Sequence, residues 1–198
     1  MFRRRLKQLA DQSLMRRLSP LESGTGPTIQ HAGREVILLS SNDYLGLATH
    51  PEVIRAAIHA TEQYGTGSGA SRLVSGTLPP HMHLETSLAT FKGTEAALLF
   101  GAGYLANIGI IPNLIGQGGL ILADRLCHAS LIDGCRLSRA DLRVFRHRDC
   151  AHLESLLRRR SASRPTLIIT EGLFSMDGDL APLSDLASLA ERYEATLY

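Results

Sequence analysis

Three stretches carry side chains whose types and spacing suit a shared chemistry. Gly101-Ala102-Gly103-Tyr104 stands where the apolar run Ala96 to Phe100 gives way to helical periodicity through Leu114. Glycines there let the backbone turn tightly and come close to a ligand. The unpaired N–H groups of the helical turn that follows favour a phosphate. An ordinary strand-to-helix turn accounts for the same pattern, so this loop does not decide the matter alone. Asp124-Arg125-Leu126-Cys127-His128-Ala129-Ser130 adds an imidazole, His128, that can exchange a proton near neutral pH. Glu171-Gly172-Leu173-Phe174-Ser175-Met176-Asp177-Gly178-Asp179 adds a hydroxyl, Ser175, among carboxylates. Together they offer a phosphate cradle, a ring platform that handles a proton, and a polar flank.

Each stretch follows an apolar run that reads as a strand. Residues 96–100, 119–123 and 166–170 are short, apolar and bounded by turn residues, as buried strands are. Helical spacing separates them: residues 129–137, then Leu153, Leu156 and Leu157, then Leu183, Leu186, Leu189 and Tyr193. Residues 142–146 alternate as another strand, and Thr196-Leu197-Tyr198 opens a further one. Strands that alternate with helices predict an α/β architecture, a mostly parallel sheet with helices on both faces. In such sheets ligands bind beyond the carboxyl ends of the strands, where all three stretches lie.

Upstream, residues 1–18 are predicted helical, with Leu6, Leu9, Leu14 and Leu18 loosely periodic and Arg16-Arg17 on a solvated face. Residues 19–33 carry Pro20, Gly24, Gly26 and Pro27 and read as loop. Residues 35–40 read as a strand. Thr49-His50-Pro51-Glu52 reads as a capping box, with Thr49 as the N-cap of a helix that ends near Tyr64-Gly65. Residues 65–76 are too glycine-rich for helix or strand. Leu84, Leu88 and Phe91 mark a second helix that stops at Gly93.

Composition excludes several classes. At 44% hydrophobic and 20% charged over 198 residues, the chain is ordinary globular material. A net charge of +2 is too balanced to argue for a nucleic-acid partner. No apolar run approaches the ~18 residues that a membrane span needs. Three cysteines, odd in number and without a CxxC pair, argue against a disulfide framework and fit a reducing cytoplasm. His81-Met82-His83 lacks metal-ligand spacing, so no metal is expected. The glycines at 65–69 follow a helix, whereas a dinucleotide loop must follow a strand.

Four motifs in register resemble the α-oxoamine synthases. They are Ser41-Asn42-Asp43-Tyr44-Leu45-Gly46-Leu47, Gly67-Ser68-Gly69-Ala70-Ser71-Arg72, and the two motifs that hold His128 and Ser175. The resemblance runs from about Arg16 to the last residue. It implies a pyridoxal 5'-phosphate (PLP) enzyme of the fold-type-I transferase class, truncated here. Residues 1–45 would form an N-terminal segment and residues 46–198 an incomplete PLP-binding large domain. It implies decarboxylative condensation of an amino acid with an acyl thioester by a cytoplasmic homodimer. The nearest branch uses L-alanine and a pimeloyl thioester; a glycine- or serine-using branch and a non-catalytic relic or dimerisation module are the alternatives.

By motif, Gly103 and Tyr104 would hold the cofactor, His128 would stack on its ring and assist proton transfer, and Ser175 would bond its ring oxygen. Arg16 would meet the substrate carboxylate. Relatives often carry phenylalanine where Tyr104 stands, which leaves its hydroxyl without an assigned role. The family's Schiff-base lysine and its Asp-x-x-His segment are expected beyond Tyr198. Lys7 and Lys92, the chain's two lysines, match neither position. The expectation from sequence is therefore a chain inactive by itself.

Overall fold

The computed structural model describes residues 2–24 and 26–198. The chain forms two compact units, Met1–His83 and Leu84–Tyr198. The helix predicted over residues 1–18 includes Met1, and the loop predicted over 19–33 includes Thr25; both residues lie outside the described set.

In the first unit, α1 (Phe2–Asp11) is shorter than its leucine spacing suggests. The chain leaves the helix through Ser13 at φ 56°, so Arg16 and Arg17 lie in irregular backbone and not on a helix face. An antiparallel hairpin follows, β1 (Thr28–His31) with β2 (Arg34–Ile37), where sequence predicts loop and then a lone strand. Its two-residue turn, Ala32-Gly33, has φ of 51° and 69°, the left-handed pair that matches strand twist. After a short 3₁₀ turn at Leu47–Thr49 comes α2 (Pro51–Tyr64). Its N-cap is His50 and not Thr49: His50 Nδ1 accepts the Glu52 N–H at 3.3 Å, while Thr49 is spent in the preceding turn. Proline then occupies the first helical position, where a missing N–H costs nothing. The helix α3 (Pro79–Lys92) begins in the first unit and ends in the second, stopping as predicted before Gly93, which has φ 66°.

The second unit is built on a parallel sheet in the order β4-β3-β5-β6. Its strands are β3 (Leu120–Asp124), β4 (Asp141–Phe145), β5 (Thr166–Ile169) and β6 (Thr196–Leu197). Leu120 lies opposite Asp141 on one side and Thr166 on the other. Side chains alternate across the pleat and feed two cores. Leu120, Leu122 and Ile168 pack with Leu153 and Leu157 of α6 (Cys150–Arg158) and Leu186 and Leu189 of α7 (Leu183–Arg192). Ile121, Ala123, Leu167 and Ile169 pack on the opposite face with Ile111 of α4 (Gly103–Leu114) and with Leu131 and Cys135 of α5 (Ala129–Leu137). The expected α/β sheet with helices on both faces is present.

The predicted buried strand at 96–100 is not. Those residues have no regular structure and pair with no strand among the described residues, and Leu98 is 70% exposed. An apolar run becomes a strand only where a neighbour supplies the ladder.

Candidate functional site

From β3 the chain passes to β4 on one side, and from β4 it crosses back to β5 on the other. The order therefore reverses between β3 and β5. That divide opens a crevice at the carboxyl ends of the two strands, the usual ligand position in open α/β sheets. A cavity of about 400 Å³ lies there, lined by residues that include Gly103, Tyr104, His128, Thr170 and Glu171. Its volume is in the range of small-ligand sites.

Each wall follows from local sequence. Helix α4 begins at Gly103 after Ala102, which has no side chain to cap it. The first-turn N–H groups have no intrahelical partner, and together with the helix dipole they form an anion-binding end. A Cβ built on Gly103 would meet nothing within 4 Å, so the ground beside this helix end is open.

His128 is the N-cap of α5: its Nδ1 accepts the Ser130 N–H at 3.1 Å. Its own backbone N–H donates to a Glu171 carboxylate oxygen, so the loops after β3 and β5 are tied at the cavity. Tyr104 donates its hydroxyl to Asp133 Oδ2 at 2.8 Å. That bond to a carboxylate raises the phenol above its ordinary range and ties α4 to α5.

Outside the cavity wall, Asp124 ends β3 at 1% exposure. It accepts from Leu126 N–H at 2.9 Å and Arg148 N–H at 2.9 Å, and faces His147 Nδ1 at 2.8 Å. His147 Nε2 lies 3.0 Å from Asp179 in the loop after β5, and Arg148 donates to the same oxygen at 2.9 Å. The Asp124 hydrogen bond, then Asp179, raises the His147 imidazole above its ordinary value against the pull of burial. His147 and Arg148 hold Asp179 below the usual carboxylate range. Cys127, beside His128, is no nucleophile. Burial, then the charges of Asp124 and Glu171, push its thiol up to about 12.

Of the residues predicted for the site, Gly103, Tyr104 and His128 meet at one cavity. Ser175 stands exposed in the turn at 175–177, outside the cavity wall. Arg16 stands exposed in the first unit. Sequence reasoning passed over Asn107, Ser130, Glu171 and Tyr198, which also line the cavity. Two of them had a local signal. Asn107 sits four residues after Gly103, on the same helical face, and Ser130 sits two after His128 at a helix start. Among the described residues, no group of three or more His, Cys, Asp or Glu could hold a metal ion. Nor is any described helix long and apolar enough to cross a membrane.

A switch-point cavity with an open helix N-terminus, an imidazole and a carboxylate is an arrangement with which an α/β protein can hold a small anionic ligand. The family model for aminotransferase class I and II matches residues 34–198, and the chain belongs to that family. It is similar to the 8-amino-7-oxononanoate synthase of Geobacter sulfurreducens, 55% identical over 192 residues, which are 97% of this chain and 49% of that protein. Among solved structures it resembles a serine palmitoyltransferase from S. paucimobilis with a bound PLP–myriocin aldimine. The TM-score is 0.90 at 34% identity, over 99% of this chain and 50% of that one. It also resembles the 8-amino-7-oxononanoate synthase of Francisella tularensis, with a TM-score of 0.63 at 31% identity, over 76% of this chain and 41% of that one. The chain spans about half the length of the curated relatives it matches.

Proposed function

We propose that this chain contributes the cofactor-binding half of a PLP-dependent C-acyltransferase of the 8-amino-7-oxononanoate synthase type. That reaction is the decarboxylative condensation of L-alanine with a pimeloyl thioester in biotin synthesis. The observation that carries the reading is the convergence of the open α4 N-terminus, His128 and Glu171 on one switch-point cavity. Identity near 50–55% to synthases of that name supports the choice of substrates.

The residues fit the cofactor. The first-turn N–H groups at Gly103 and Tyr104 would receive the phosphate. His128, its Nδ1 bound into the α5 cap, would lay its ring on the pyridine and hold a proton at Nε2. Bound PLP supplies an electron sink for the carbanion left by decarboxylation. In the reading proposed, Ser175 bonds the ring oxygen and Arg16 receives a substrate carboxylate. Residues 46–198 would then belong to the large domain of a cytoplasmic homodimer and residues 1–45 to its N-terminal segment.

The test is a titration of the chain with PLP, followed by absorbance. Saturable binding is expected, displaced by inorganic phosphate and weakened about tenfold by His128→Ala, a loss of about 1.4 kcal/mol. Binding that ignores both phosphate and His128→Ala would refute the site. No lysine lines the cavity, so borohydride reduction should leave no stoichiometric lysine adduct there.

A further inference from the structure

Four side chains along the cavity wall form one unbroken run of hydrogen bonds. Tyr198 Oη lies 2.9 Å from Asn107 Oδ1, and Asn107 Nδ2 lies 2.9 Å from Ser130 Oγ. Ser130 Oγ lies 2.7 Å from His128 Nδ1. The run joins the end of the sheet, the first turns of α4 and the start of α5. Gly134 makes this closeness possible. A Cβ there would stand 2.9 Å from the Asn107 carbonyl oxygen and 2.9 Å from Ile111 Cδ1, so only glycine lets α5 lie this near α4.

The run has one consistent direction. The Ser130 backbone N–H can only donate, and it points at His128 Nδ1. That nitrogen must therefore present its lone pair, and a neutral ring carries its hydrogen on Nε2. A hydroxyl 2.7 Å from a lone-pair nitrogen must donate to it, because two acceptors at that separation repel. Ser130 Oγ then has its lone pairs left for the Asn107 amide hydrogens, which turns Asn107 Oδ1 toward Tyr198. Tyr198 in turn donates. Burial raises its phenol above the ordinary value, which keeps the donor proton in place. Ser130, at the centre of the run, is 1% exposed, so water does not compete for the bonds its hydroxyl makes.

We propose that Tyr198, Asn107 and Ser130 are positioning residues for His128: Ser130 holds the Nε2–H tautomer through its backbone N–H, and Tyr198 and Asn107 orient the Ser130 hydroxyl that fixes the ring plane at the cavity. Among the described residues nothing bonds Nε2, so this nitrogen is the one left for a ligand. Tyr198 is the remote control of the set. Without its hydroxyl the Asn107 amide is free to turn over and offer Oδ1 to Ser130, which withdraws the serine proton from His128. The tautomer assignment stands on geometry alone. Its value to the reaction rests on the PLP reading above, since a ring that stacks on a cofactor and moves a proton must keep one orientation and one proton address.

Long-range ¹H–¹⁵N spectra of the histidine-labelled 198-residue chain, with no ligand added, read the tautomer directly. His128→Gln identifies the signals by their loss. Expected is a pyridine-like Nδ1 and a pyrrole-like Nε2 in the parent chain. Asn107→Asp removes the amide donor and offers Ser130 a carboxylate. The Nδ1 signal should then move toward that of a nitrogen with a weaker donor, while Nε2 stays protonated because the Ser130 N–H remains. Tyr198→Phe should move Nδ1 in the same direction by less, and it decides the question if Asn107→Asp does not fold. A hydrogen found on Nδ1, an average of both tautomers, or an Nδ1 signal unmoved by the folded variants would overturn the relay. A PLP titration of the same sample tests the cofactor reading separately, so either idea can fail without the other.

Discussion

The two compact units of this chain use the same amphipathic vocabulary and reach opposite outcomes. In Leu84–Tyr198, the apolar positions of β3 and β5 are sealed by helices on both faces, and Leu120, Ile121, Leu122 and Ile168 have no exposed surface. In Met1–His83, only Ile29 and Gly76 are buried among the described residues. The apolar stripe of α2 stays in solvent, with Ile54 and Ile58 about half exposed, and Leu73 is 98% exposed. Patterning states which face an element offers for burial; a core exists only where a second element covers that face.

The largest test of this contrast is truncation on each side of it. Ile168→Ala opens a cavity among Leu120, Leu122 and Leu186. It should cost about 2–5 kcal/mol, the range for buried aliphatic residues cut to alanine. Urea denaturation should show the midpoint falling with the slope unchanged. Amides of β3 and β5 should exchange slowest in the parent chain and lose that protection in the variant. If β1–β2 or α2 amides prove the slower set, the contrast between the units fails.

The same contrast explains what the sequence could and could not disclose. Runs such as Leu120-Ile121-Leu122-Ala123 are readable because a strand covered on both faces must be apolar on both. Helix α5 is legible to the residue, Ala129–Leu137, because its cap and its leucines agree. Residues 96–100 carry the same apolar signature, and it misleads, since no neighbour pairs with them among the described residues. The hairpin was hidden both by the prolines and glycines before it and by Ala32, whose left-handed φ of 51° alanine rarely adopts. At the site, Gly103, Tyr104 and His128 sit at element junctions, which sequence marks well. Asn107 meets Ser130 and Tyr198 across separations of 23 and 91 residues, and no local pattern encodes such contacts.

A second test is pH. His147 bridges Asp124 and Asp179, with Arg148 on the same Asp179 oxygen and the Phe174 ring edge-on at 4.5 Å. Its imidazole is raised, first by Asp124. Its stabilisation is therefore complete below the unfolded value of about 6.5 and is lost as pH rises through the raised folded value. Asp179 is lowered, first by His147. Its contribution is present above the unfolded carboxylate value of about 3.9 and is lost as pH falls through the lowered folded value. The second unit should therefore be most stable between about pH 4 and 6.5. Urea midpoints across pH should trace that maximum. His147→Gln, which cannot titrate, should remove the decline on the alkaline side and also weaken the acid limb, because His147 is the first cause of the lowered Asp179 value. An alkaline decline that survives His147→Gln would assign it to another group.

The smallest effect should come from α2, and its smallness is the informative part. Ile58 is 54% exposed on a helix with no buried residue. Ile58→Ser exchanges two residues of nearly equal helix propensity. Surface substitutions of this kind usually stay within about 0.5 kcal/mol. The denaturation midpoint should therefore hold, while binding of a hydrophobic dye falls as an apolar group leaves the surface. A loss of about 1 kcal/mol or more would mean that something covers this face in solution. Ile58 would then be a core residue whose partner the 198-residue chain finds by self-association. Repeating the midpoint at several protein concentrations separates the two cases, because self-association makes stability depend on concentration and an exposed stripe does not.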